Sequence, residues 1–233
     1  MNKKLIIAHI ALPLLAAVLA LLYFADFAEG GTWAWQSVGH GFNGPVYSVL
    51  WNANASRLYA GGDFAAGGGN DMRRLAYWTA AGGWTNMTAN DVVRALAAPS
   101  AGSTIYIGGD FTSLGAGTLG TAANYVGYYA PSTGEFKALG DGLDAACHSL
   151  AYDPSGSLYA GLAASNYPQK WDGESWANYT TSSGRCNALG VDSAGRIYAV
   201  GGLGTAMFQD KSLIGEADTG EFFAIAFDAV NDA

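Results

Sequence analysis

Two aspartates recur at one place in the chain: Asp63 ends LYAGGD before Phe64, and Asp110 ends IYIGGD before Phe111. Together with the two phenylalanines they are candidates for a shared binding surface, for a sugar or a cation. The competing role is local: each carboxylate accepts hydrogen bonds from the amides of its own turn, and each phenylalanine fills the gap between repeats. Repetition favours the local role, because a residue that returns with a structural unit usually serves that unit. Other reactive side chains are sparse. The histidines are His9, His40 and His148, whereas a catalytic zinc or copper needs about three converging ligands. No G-x-S-x-G elbow, phosphate loop or H-x-H cluster is present. No catalytic residue, metal ligand or cofactor is therefore assigned. Trp33 and Trp51 fall outside the strict repeat and join Asp63, Phe64, Asp110 and Phe111 as candidate binding residues.

The elements that must hold these residues are short strands. Leu58–Phe64 returns at Ile105–Phe111, Leu158–Ala164 and Ile197–Leu203. An apolar residue, a tyrosine, a further small or apolar residue and then glycine suit a strand entering a tight turn. Ahead of each copy lies another apolar stretch, starting at Val46, Val93, Cys147 and Cys186, and a fifth starts at Phe222. Small, Gly and Pro residues between the two make a hairpin. Third stretches follow the glycines at Leu75, Val126 and Gln169, and fourth, aromatic ones begin at Trp84, Phe136 and Trp176. The repeat tyrosines are spaced by 47, 53 and 39 residues. Four strands every 40–50 residues is the spacing of a β-propeller blade.

Cys147 and Cys186 occupy equivalent positions in consecutive units. A disulfide between them needs Cα atoms within about 7 Å, and they read better as two small buried hydrophobes. The insertions Ala65–Arg74 and Thr112–Asn124, rich in Gly, Ala, Thr and Asn, read as flexible loops on one rim, where a rigid scaffold binds things.

A glycine doublet after LY-x or IY-x, then Tyr77, six residues and Trp84, resembles the Kelch motif. Tyr129, six residues and Phe136 repeat it, and IYAVGG at Ile197 is similar to the Kelch strand. The third unit departs, with Leu162 in place of the second glycine, and VDSAGRIYAV is similar to bacterial propeller repeats of the NHL type. The resemblance covers about residues 33–228. It implies a Kelch-like propeller and no particular activity, since such propellers include oxidases, adhesins and scaffolds.

Composition limits the partners. The chain has 11 Lys and Arg against 19 Asp and Glu, a net charge of −8, and 33 glycines in 233 residues. No basic patch meets phosphates, so nucleic acid is excluded as a partner. Lys3 and Lys4 precede an uncharged run from Leu5 to Phe24, the pattern of a secretion signal or a retained anchor. Residues 1–28 are assigned to that hydrophobic helix and 29–233 to the propeller. Contact with a membrane is expected only through an uncleaved leader. The fold expected is all-β: about four four-stranded blades plus one extra strand from Phe222, an incomplete ring whose last blades are missing. The function expected is a secreted or cell-surface binding module for carbohydrate or protein, with no cofactor. The alternative is an extracellular lyase, glycosidase or oxidase acting through rim loops or through residues outside this chain.

Overall fold

A computed structural model describes residues 38–99, 104–115, 120–164, 168–178, 184–193, 195–203 and 222–228. The chain divides into two units, Met1–Gly41 and Phe42–Ala233, and the strands of the described residues lie in the second. The hydrophobic leader, Trp33 and Trp35 lie outside the described residues.

The described chain is all-β and antiparallel. The first sheet joins β1 (Val46–Asn52), β2 (Arg57–Gly62), β5 (Leu75–Thr79) and β6 (Gly83–Asn86), side by side in chain order. The second joins β7 (Val93–Ala97), β8 (Ile105–Gly109), β11 (Val126–Ala130) and β12 (Glu135–Ala138). The third joins β13 (Cys147–Tyr152), β14 (Leu158–Leu162), β15 (Gln169–Trp171) and β16 (Trp176–Asn178). The fourth has β17 (Gly184–Val191), β18 (Arg196–Leu203) and β19 (Phe222–Asp228).

In the first, third and fourth sheets the first two strands are joined by turns that the sequence specifies locally. Asp153 accepts hydrogen bonds from the Ser157 amide at 2.8 Å and the Ser155 hydroxyl at 2.7 Å, and Gly156 takes φ +96°. Asp192 repeats this with the Arg196 amide at 2.9 Å, and Gly195 has φ +81°. Asn52 does the same for the Ala55 amide at 2.8 Å. A short side-chain acceptor followed by a residue tolerant of positive φ closes each turn.

Consecutive sheets stack through their first strands, and glycine makes the stacking possible. A Cβ on Gly61 would overlap Val93 Cγ1 of the second sheet. On Gly108 it would stand 2.5 Å from Cys147 Sγ, and on Gly161 2.6 Å from Cys186 Sγ. In the first three sheets this glycine is thus a socket for the opening residue of the next sheet. Val93, Cys147 and Cys186 are accordingly fully buried. Two hydrogen bonds cross the same interfaces. The Leu96 amide donates to Ser48 Oγ at 3.1 Å, and the Leu189 amide donates to Ser149 Oγ at 2.9 Å. Between the first and second sheets Tyr59, Leu75, Ile105, Ile107 and Leu114 form one core; Val126, Leu150, Leu158 and Leu162 belong to the next. Each such side chain contributes about 1.5–3 kcal/mol through its burial.

Two expectations are corrected, and one position departs from the glycine pattern. The stretch from Phe222 does not open a fifth unit: β19 is hydrogen-bonded to β18 from Gly202–Phe222 to Arg196–Asp228 and is the third strand of the fourth sheet. A continuous apolar run looks the same at the first position of a sheet as at the third; the free edge of β18 decides. The rim insertions are not featureless loops. They fold back as the hairpins β3 (Ala66–Gly67)–β4 (Asn70–Asp71) and β9 (Ser113–Leu114)–β10 (Thr121–Ala122). In the doublet of IYAVGG, Val200 rather than a glycine holds the socket position, because Val200 pairs with Ala188 as Gly61 pairs with Ser48.

Candidate functional site

The site is built from one irregularity repeated in every sheet. The pairing of first and second strands slips by one residue at Val46/Ser48, Val93/Ala95, Cys147/Ser149 and Cys186/Ala188. The extra residues of these β-bulges are Tyr47, Arg94, His148 and Asn187. A bulge turns its side chain out of the ladder, which is why bulges are frequent beside binding sites. Tyr47, Arg94 and His148 occur where the first strand starts and the second strand ends, the end that Tyr47 and Arg94 share with the GGD turns, and Asn187 holds the same register position within β17.

Neighbouring bulge residues interact. The Arg94 guanidinium lies over the Tyr47 ring, 5.7 Å from its centroid. Arg94 Nε and Nη2 donate to the two carboxylate oxygens of Asp110 at 2.7 and 2.6 Å. This forked pair fixes the guanidinium plane and raises the Arg94 pKa, chiefly through the hydrogen bonds to Asp110. His148 is half-buried, with the Asn187 side chain among the groups that act on it. Burial lowers its pKa, and the Arg94 and Arg185 charges add to that, against the opposing pull of Asn187 and Asp110. His148 is therefore neutral at physiological pH and presents one donor and one acceptor. Tyr47, half exposed, closes the row with an open aromatic face.

The hairpins stand beside this row. Asn43 Oδ1 accepts from the Ala65 and Ala66 amides, both at 2.9 Å. Asn90 repeats this with Thr112 at 2.9 Å and Ser113 at 3.0 Å. Between the hairpins lies an open polar cleft of about 520 Å³, lined by Asp71, Arg73, Arg74, Thr88, Asn90 and Ser113 among others. Arg74 adopts φ +64°, as Tyr125 does in the second sheet, and its amide donates to Phe64 O at 3.0 Å, closing the insertion.

The sequence-predicted residues separate. Asp110 holds Arg94, and Asp63 faces Arg74 at 3.6 Å with half of its side chain exposed. Both carboxylates thus meet arginines, whereas the turn amides Asp63 N and Asp110 N donate to Pro45 O and Val92 O. The turn-forming role is replaced by ion pairing because those carbonyls already accept the amides. Phe64 and Phe111 are buried, at 2% and 0% exposure, and belong to the core instead of the surface. Trp51 is half-buried on β1 opposite Leu58, with its indole nitrogen enclosed and unpartnered among the described residues. Trp33 lies outside the described residues. Cys147 and Cys186 are free, buried thiols in separate sheet interfaces. Each donates along its own strand, to Ser149 O and Ala188 O, both at 3.4 Å.

Sequence reasoning missed Tyr47, Arg94 and Asn187. The signal was available: with His148 they hold one register position in four repeated strands, where a larger polar or aromatic residue stands between Val or Cys before it and Ser or Ala after it. Among the described residues no group of three or more His, Cys, Asp and Glu is placed to hold a metal. Among them, too, no helix is long and apolar enough to cross a membrane. The polar row offers hydrogen-bond donors and acceptors in fixed planes beside an aromatic face.

No protein-family profile and no curated protein matches the sequence. Among solved structures, two that are similar are crystal structures of the extracellular domain of BT4673 from B. thetaiotaomicron. One is 16% identical with a TM-score of 0.49, over 76% of this chain and 28% of that one. The other is 18% identical with a TM-score of 0.45, over 66% of this chain and 20% of that one. The chain thus spans under a third of the length of the structures it resembles.

Proposed function

We propose that this chain is an exported, Kelch-like β-propeller segment, with the stacked four-stranded sheets as its blades, and that it binds a carbohydrate without transforming it. The observation that carries this reading is the row Tyr47, Arg94, His148 and Asn187. A polyhydroxylated ligand presents adjacent donors and acceptors and an apolar ring face. The row matches it with the Tyr47 face, the remaining Arg94 N–H groups, a neutral imidazole and a carboxamide. The half-exposed Asp63 carboxylate adds an acceptor at the same end. Export rests on the basic and then uncharged leader, Lys3 to Phe24.

A glycan array probed with the full chain, followed by calorimetric titration of the best ligand, tests the reading. Saturable binding weakened about tenfold or more by Tyr47→Ala, a loss of about 1.4 kcal/mol, supports it, provided that the ligand is recovered unchanged. Turnover lost on replacing Asp63 would instead make the protein an enzyme, and binding indifferent to both Tyr47 and Asn187 would move the site elsewhere.

A further inference from the structure

The first two units superpose strand by strand. Ala66 pairs with Asp71 as Ser113 pairs with Ala122, and the Arg74 amide donates to Phe64 O as the Tyr125 amide donates to Phe111 O. Asn86 faces Ala76 as Ala138 faces Gly127, which makes Thr88 the counterpart of Gly140. Around the cleft between the two hairpins the residue types diverge. Asp71 stands for Ala122, Arg73 for Asn124, Arg74 for Tyr125, Asn86 for Ala138 and Thr88 for Gly140. Asp71, Arg73, Arg74 and Thr88 line that cleft of about 520 Å³. Asn86 Oδ1 accepts the Arg73 and Thr88 amides, both at 3.1 Å, and so fixes two of them. A residue that returns with a repeat serves the repeat; these do not return, and the second unit is built without them.

Two features mark the cleft as a place for a ligand. The first is backbone strain. Thr88 holds φ +66° where the second unit has Gly140 at φ +61°. A β-branched residue is disfavoured there, and strain of this kind gathers at binding sites. The second is unmatched charge. Arg73 and Asp71 are exposed, and among the described residues neither side chain has a hydrogen-bond or ion-pair partner. Arg74 beside them is held loosely, with Nε 3.6 Å from Asp63 Oδ1 and Nη1 3.4 Å from Asn90 O.

We propose that the cleft binds a uronate residue of the carbohydrate ligand, with the Arg73 guanidinium on the sugar carboxylate and with Asp71 and the Thr88 hydroxyl on the ring hydroxyls. This rests on the reading of the protein as a carbohydrate-binding module and names the class of sugar. A guanidinium presents two parallel N–H groups, which match the two oxygens of a planar carboxylate. The Asp71 carboxylate is an acceptor for hydroxyl groups, which a uronate keeps beside its anion. In a chain of net charge −8, an unpaired guanidinium is what offsets the general repulsion of an anion. The cleft meets the bulge row at Asp63, which faces Arg74 and also acts on Arg94.

Ligands that differ in one charge test the site. Uronate oligosaccharides of the galacto, gluco and manno series are each titrated calorimetrically into the full chain beside their methyl esters, which keep the ring hydroxyls and lose the charge. At least one acid should bind about tenfold or more tighter than its ester, as hydrogen bonds to charged groups do. Arg73→Ala should bring that acid down to the level of its ester, leave ester binding as it was and keep the melting temperature. Arg73→Lys, which retains the charge without the fork, should restore part of the preference. Thr88→Gly, which installs the residue of the second unit, should weaken acid and ester alike without lowering the melting temperature. Should Arg73→Ala fail to fold, Arg73→Gln decides, and a preference for the acid that survives it overturns the proposal.

The outcomes separate the uronate site from the reading beneath it. Esters or neutral sugars bound as tightly as acids, through Tyr47 and indifferent to Arg73, would overturn the uronate site and keep the carbohydrate reading. A sulfated glycan preferred over every uronate would overturn it as well. Saturable binding of no glycan at all would overturn both.

Discussion

A Cβ placed on Gly108 would stand 2.5 Å from the sulfur of Cys147, a residue of the next sheet. The small side chain at 147 and the missing one at 108 are therefore one feature, the closest approach between two stacked sheets. Gly108→Ala should destabilise the protein by about 1–3 kcal/mol through overpacking. Cys147→Ala should recover part of that loss by removing the sulfur, so a double-mutant cycle in urea should give a favourable coupling. Additive effects would show that the sheets separate without resistance.

Both thiols should be inert in the folded state. Burial pushes the Cys186 thiol up to about 12, and burial raises Cys147 as well. The thiolate is the reactive form, so iodoacetamide at pH 8 should modify neither until denaturant is added. Mass spectrometry of the intact chain reads the outcome, and rapid modification of the native protein would contradict the packing.

Acidification should destabilise the bulge row. The folded-state pKa of His148 is lowered, first by burial and then by the Arg94 and Arg185 charges, while Asn187 and Asp110 oppose the shift. The neutral imidazole is favoured in the fold, so this stabilisation is complete above the ordinary histidine value of about 6.5 and is lost as pH falls through the lower folded value. Urea midpoints should drop between pH 7.5 and 5, and His148→Gln should flatten that part of the dependence. Parallel curves for the variant and the wild type would remove His148 as the cause.

The turn acid Asp153 acts at lower pH. Burial alone would raise its pKa, but hydrogen bonds from the Ser155 hydroxyl and from the Ser157, Gly156 and Ser155 amides outweigh burial and lower it. Its contribution is present above the ordinary carboxylate range and disappears as pH falls through the folded value. Asp153→Ala leaves those donors without their acceptor and should cost about 1–3 kcal/mol at pH 7. A thermal melt at pH 7 measures the loss, and an unchanged midpoint would contradict the role.

Removing the forked ion pair should separate binding from stability. Arg94→Ala should weaken ligand binding through the loss of an oriented donor and of the surface beside Tyr47. Its effect on folding should stay near 1 kcal/mol, because both partners keep about a third of their side chains in water. Calorimetric titration and melting of one preparation read both quantities.

What the sequence determined by itself is local. Apolar-tyrosine-glycine strands, Asn52, Asp153 and Asp192 turns and a four-strand period are legible, because their hydrogen bonds close within a few residues or within one hairpin. What the tertiary structure decided is every contact between units some 40–50 residues apart. It set the Arg94 guanidinium over the Tyr47 ring, placed the thiols of Cys147 and Cys186 in glycine sockets and brought the four bulges into one row. It also gave β19 to the fourth sheet instead of to a fifth. An apolar residue records in its type that it is to be buried, but not which neighbour buries it. That is fixed only when sheets stack, where one methyl group more or less at a socket decides which residues can meet.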